Sequence, residues 1–160
     1  MFTRNGKSLT AISVKPICTF HQVFQSTWLF GAFSPITGDQ FQLILPNCNA
    51  DNFQFFLDDF SKENPKEFKI MVLDNGRFHK AQNLNIPKNI ALVFLPPYSP
   101  ELNPAEKMWA KYKRAFTNKY FTKLDDVEEF ISEAVNETTK EEVLSICGYG
   151  YIFLDKIWTI

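Results

Sequence analysis

Prolines 96, 97, 100 and 104 fall inside one short stretch, Leu95-Pro-Pro-Tyr-Ser-Pro-Glu-Leu-Asn-Pro-Ala-Glu106-Lys-Met-Trp109. Each fixes its own φ and pushes the residue before it toward extended backbone. Neither a helix nor a central strand runs through such a block, so it must be a stiff connection. It joins the apolar run Ile90 to Leu95 to a helix start, with Asn103 as N-cap and Pro104 at the first helical position. A rigid loop of this kind fixes where Glu106 stands, in the first turn of that helix.

The rest of the chain reads around this block. Trp28 to Phe33 and Phe41 to Leu45 are strands joined by the turn Pro35-Ile-Thr-Gly-Asp39, and Phe20 to Phe24 is expected as a strand before them. Residues 1–17 show no strong periodicity and read as a loop or weak hairpin. Phe53, Phe56, Leu57 and Phe60 have the spacing of one buried helical face, capped by Asn49 or Asp51. Phe68 to Leu73 and Ile90 to Leu95 are unbroken apolar runs, the pattern of strands buried on both faces.

Ala105, Met108, Trp109, Tyr112 and Phe116 form the apolar stripe of the helix after the proline block. A further helix is expected from a Thr122-x-x-Asp125 start, and another over Lys140 to Cys147, ended by Gly148. The tail from Tyr151 to Ile160 is apolar and is expected to pack back on the body. Strands first, a strand–loop–strand pair in the middle and helices last define an α/β chain with a mixed sheet. At 160 residues it is expected to form one domain, 1–160. With 17 phenylalanines its core should be rich in aromatic rings.

Charge and cysteine usage narrow the classes. Net charge is −1, so no global field recruits nucleic acid. Locally the picture differs. Lys107, Lys111, Lys113, Arg114, Lys119 and Lys123 occur without an intervening acid, and eight acids with one lysine follow between Asp125 and Glu142. This asymmetry is either a basic helix face or two ordinary solvated faces. Cys18, Cys48 and Cys147 lie far apart with no metal-ligand spacing, which reads as buried or free thiols in a reducing cytoplasm. The apolar runs are too short to span a bilayer.

The chemistry-bearing residues are acids at element ends. Asp74 follows the run Ile70-Met-Val-Leu73 and so emerges at the C-terminal end of a strand, where α/β sheets place ligands. The competing reading is a turn residue capping its own backbone, since Asp74-Asn-Gly76 is good turn sequence. Glu106 in a first helical turn also serves the cap and the helix dipole. Together the two carboxylates can hold hard divalent cations through oxygen, and a two-cation site can cleave phosphodiesters without a side-chain nucleophile. His79 is within reach of the same mouth, as the orienter of a carboxylate or a contact to phosphate. The competing reading is a satisfied structural histidine.

Leu73-Asp-Asn-(x)3-His79, followed by the proline block through Glu106-(x)2-Trp109, resembles the DDE transposases of bacterial insertion sequences related to the mariner elements. Trp28-Leu-Phe-Gly-Ala-Phe-Ser-Pro-Ile-Thr-Gly38 is similar to that family's second and third strands. The resemblance covers nearly the whole chain. It implies a ribonuclease-H-like fold and cut-and-paste DNA strand transfer using Mg2+ or Mn2+, with transposon-end DNA as partner and a transposase dimer as assembly. Asp74 matches the second catalytic carboxylate and Glu106 the third. The resemblance also implies a first catalytic Asp on a central first strand, upstream of the segment like Phe2-Thr-Arg-Asn-Gly-Lys7. No Asp or Glu precedes Asp39, and Asp39 sits in a turn between strands. The chain is therefore expected to lack that strand, to be incomplete at its N-terminal side, and to have little activity alone.

Two other functions compete. One is a non-catalytic remnant that binds DNA or a full-length transposase through Lys107, Lys111, Lys113 and Arg114. The other is an unrelated phosphotransfer enzyme with Asp74 as nucleophile, for which the proline block gives no reason.

Overall fold

A computed structural model describes residues 26–74, 76, 84–117 and 119–153. Two strands come first, β1 (Trp28–Phe33) and β2 (Gln40–Leu45), paired antiparallel with Trp28 opposite Leu45. Helix α1 (Ala50–Lys62) follows, capped by the Asn49 side chain, which accepts from the Asn52 N–H at 2.9 Å. Strands β3 (Lys69–Leu73) and β4 (Ile90–Phe94) pair in parallel, Lys69 with Ile90 and Leu73 with Phe94. The proline block contains one 3-10 turn (Pro100–Leu102) and leads into α2 (Ala105–Ala115). Helices α3 (Leu124–Asn136) and α4 (Lys140–Cys147) and a 3-10 segment (Gly150–Phe153) close the described chain.

Helix α1 organises one core. Its buried Phe53, Phe56 and Leu57 meet Phe30 and Ala32 of β1, Phe41, Leu43 and Leu45 of β2, Met71 and Leu73 of β3, and Ile90 and Leu92 of β4. Each such large side chain contributes about 1.5–3 kcal/mol when fully buried. Rings dominate: Phe56 lies 5.8 Å from Phe30 and 5.4 Å from Phe41, centroid to centroid. The expected aromatic core and the 53/56/57/60 face are both present.

The second core lies on the opposite face of β1. Alternation along the strand turns Leu29 and Phe33 away from α1, toward Met108, Trp109 and Tyr112 of α2 and Val143 and Cys147 of α4. The β1–β2 ribbon is thus covered on both faces. Among the described residues, the β3–β4 ribbon is not. Ile70 is 56%, Val72 46% and Val93 47% exposed, all pointing away from α1. The expectation that Phe68–Leu73 and Ile90–Leu95 are buried on both faces is therefore corrected. An unbroken apolar run does not say which neighbour covers it, and here α2 and α4 sit over β1. Among the described residues the two ribbons share no hydrogen-bonded edge.

Smaller expectations shift locally. The Thr122 hydroxyl bonds the Asp126 carboxylate at 3.3 Å, and Lys123 is the cap position of α3, without a side-chain cap. Asp125 and Asp126 still stand in its first turn, where the helix dipole favours acids. The 20–24 strand, the 1–17 segment, His79, Cys18 and the tail beyond Phe153 lie outside the described residues.

Candidate active site

The parallel register brings two chain exits to one sheet edge. Leu73 pairs with Phe94, and the Leu95 N–H donates to the Leu73 carbonyl at 2.8 Å. Asp74 and the proline block therefore leave the ribbon side by side. Asp74 is exposed, and one of its carboxylate oxygens accepts the Gly76 N–H at 3.1 Å. This is the self-capping turn that competed with the ligand reading. Cys48, just beyond β2, senses the same region: burial pushes its thiol pKa up, and the Asp74 charge adds in that direction.

Glu106 is placed by what holds the start of α2. The Asn103 side chain accepts the Ala105 N–H at 3.1 Å, and the Glu106 N–H donates to the Asn103 carbonyl at 3.1 Å. The Cys147 Sγ lies 3.8 Å from the Pro104 carbonyl oxygen, tying α4 to the same turn. One helical turn on, the Trp109 ring meets Phe33 edge-on at 5.4 Å. Gly31 makes room for it: a Cβ there would lie 2.8 Å from Trp109 Cη2. With its backbone clamped this way, Glu106 is exposed, and among the described residues its carboxylate carries no hydrogen bond or ion pair.

Between these acids lies a strained turn. Tyr98 has φ +61, in the left-handed region normally left to Gly, Asn or Asp, and its side chain is 100% exposed. A bulky residue there costs about 1–3 kcal/mol. No sequence pattern flagged Tyr98, because strain is invisible in composition.

The four basic residues singled out on α2 divide. Lys113 and Arg114 are exposed in its last turn. Lys107 is exposed and its Nζ sits 4.1 Å from the Tyr149 ring centroid. Lys111 is engaged internally: its Nζ lies 2.6 Å from a Glu142 carboxylate oxygen and 2.9 Å from the Thr138 hydroxyl. Thr138 is buried and joins Tyr112 at 3.3 Å, whose hydroxyl accepts from Gln42 Nε2 at 2.9 Å. Sequence reading missed this network, whose members lie up to 100 positions apart, from Gln42 to Glu142.

Asp39 does not approach the site through its own bonds. Its carboxylate takes the Lys140 ammonium at 2.6 Å and the Thr37 hydroxyl at 2.6 Å, and these two bonds hold its pKa below the usual carboxylate value. Among the described residues, no group of three or more His, Cys, Asp or Glu is arranged to hold a metal ion. Also among them, no helix is long and apolar enough to cross a membrane.

The described chain is a mixed α/β domain with one acid at the end of a parallel strand and another at the start of the following helix. Residues 6–130 match the model of the DDE superfamily endonuclease, and the chain belongs to that family. An uncharacterized protein of Sinorhizobium fredii, y4pE/y4sA, is 32% identical over 123 residues, covering 74% of this chain and 91% of the relative. Among solved structures, the Mos1 transposase paired-end complex with left transposon end has the same fold. Its TM-score is 0.65 at 19% identity, over 89% of this chain. The chain spans 46% of that transposase's length. The ribonuclease-H-like expectation, drawn from the mariner resemblance, is borne out at the level of fold.

Proposed function

We propose that this chain is a transposase catalytic domain in which Asp74 and Glu106 share a divalent cation, Mg2+ or Mn2+, against a DNA phosphodiester. The observation that carries it is the parallel β3–β4 register, which sends Asp74 and the stiff loop to Glu106 out of one sheet edge. The donor set fits a hard cation: two carboxylates, one of them without an internal partner among the described residues. Such a cation, when bound, would activate the attacking oxygen, and stabilising the leaving oxygen would fall to the second cation that the resemblance implies. The chain's own contribution is to fix both carboxylates on short, clamped elements and to bring phosphate to them along α2.

The family resemblance calls for three carboxylates and assigns two of them here, Asp74 and Glu106. Asp39, the earliest acid, is bound to Lys140 and Thr37 in its turn. A two-acid site should hold cations weakly and misplace the attacking oxygen, so this chain alone is expected to cleave poorly. Plasmid nicking with Mn2+ tests this. Robust nicking abolished by Asp74→Ala would show that a third acid is not needed.

A second reading, a non-catalytic piece that binds DNA or a full-length transposase, is favoured by the exposure of Lys113 and Arg114. Binding through them is sequence-indifferent and steeply salt-dependent. A flat affinity across a salt titration would exclude it. Pairing of two such chains on transposon-end DNA belongs to the same proposal.

A further inference from the structure

The proline block that leads into Glu106 carries no positive charge of its own. From Leu95 to Glu106 there is no Lys or Arg, while Glu101 and Glu106 add two negative ones. The block itself therefore offers a phosphate no cation. One large side chain is presented: Tyr98, fully exposed, on backbone with φ +61. Prolines 96, 97 and 100 flank it, so the ring is carried on a short, stiff support. The Ser99 carbonyl accepts the Leu102 N–H at 3.2 Å, which closes the turn behind it. Among the described residues nothing rewards an aromatic at this position: the ring fills no core, and glycine would relieve the backbone. Strain kept at an exposed aromatic on the block that joins β4 to the helix of Glu106 is a mark of use.

We propose that Tyr98 is a stacking platform for an unpaired nucleobase at a DNA end, holding the strand while its phosphodiester lies at the acids. The inference rests on the transposase reading above and adds a group that positions DNA without charge. Aromatic rings hold unpaired bases whatever their identity, because each base has a π-face. Lys113 and Arg114 supply the ionic part of binding, and Tyr98 the non-ionic part.

The test uses the full chain, Mg2+, and a duplex with a short single-stranded extension carrying 2-aminopurine, whose fluorescence falls on stacking. A blunt duplex with the probe at its centre, and a ribonucleotide version of the extension, run beside it. The wild type should quench the extension probe and leave the central one bright. An RNA extension quenched in preference to DNA would overturn the assignment to a DNA end. Tyr98→Phe and Tyr98→Trp should keep the quenching. Tyr98→Ala and Tyr98→Gly should abolish it and weaken binding roughly 5- to 100-fold without changing the slope of affinity against salt. Tyr98→Gly suits the backbone, so its loss is not a loss of fold. Binding and quenching by Tyr98→Gly equal to wild type would overturn the proposal. Salt-dependent binding by the wild type with no quenching would overturn it and leave the transposase reading standing. No binding at any salt would overturn both.

Discussion

The Lys111 ammonium lies 2.6 Å from the Glu142 carboxylate and ties α2 to α4 across the second core. Its side chain is 28% exposed and that of Glu142 44%, so the pair is partly screened. The Thr138 hydroxyl at 2.9 Å completes the anchor. Of the basic residues on α2, this one acts inside the protein.

Lys111→Met should therefore lower stability by about 1.5 kcal/mol, the lower end for hydrogen bonds to charged groups given the exposure of Glu142. It should leave DNA affinity nearly unchanged. Lys113→Ala or Arg114→Ala should do the reverse, reducing the salt slope by about 1 each with little effect on melting. Thermal melts and salt-dependent binding of the three variants check this together.

Gly31 touches Trp109 so closely that a methyl group cannot be added without movement. Gly31→Ala should cost about 1–3 kcal/mol by overpacking and displace the first turns of α2, which carry Glu106. Denaturant unfolding gives the cost, and tryptophan emission reports the shift at Trp109. A variant as stable as wild type would mean that the ring moves freely.

The two faces of β3 should respond differently. Met71 is buried against α1, while Val72 points outward. Met71→Ala should cost about 2–5 kcal/mol. Val72→Thr should change stability by less than about 0.5 kcal/mol and reduce self-association at high concentration, since it lessens an exposed apolar face. Unfolding curves and light scattering separate the two.

Sequence periodicity found what depends on one element at a time. The phenylalanine spacing gave α1, the stripe of Met108 and Tyr112 gave α2, and the prolines gave the loop and the position of Glu106. What depends on neighbours stayed hidden. The run Ile70 to Leu73 is equally apolar on both faces, so its outward face became visible only once α2 and α4 were seen over β1. Lys111 looks like its neighbours Lys107 and Lys113 in sequence, and only the approach of Glu142 and Thr138 distinguishes it. Tyr98 reads as one residue of a motif until its backbone angle and exposure are known.

Burial pushes the Cys147 thiol pKa from 9.0 up to about 11, against the opposing pull of nearby Lys107. A thiol raised on folding favours the folded state while it stays protonated. That contribution is complete below pH 9.0 and is lost as pH rises toward about 11. Cys147→Ser should flatten this alkaline loss. Site-resolved alkylation at pH 8 should leave Cys147 unmodified in the folded chain and modify it rapidly in urea.

The central claim, one cation shared by Asp74 and Glu106, is tested most directly by replacing it with Fe2+ and mapping where ascorbate and peroxide cut the protein backbone. The account expects cuts near both residue 74 and residue 106, lost together in Asp74→Asn and in Glu106→Gln and suppressed by excess Mg2+. Cuts near one residue only, or cuts at both that survive either substitution, would contradict it.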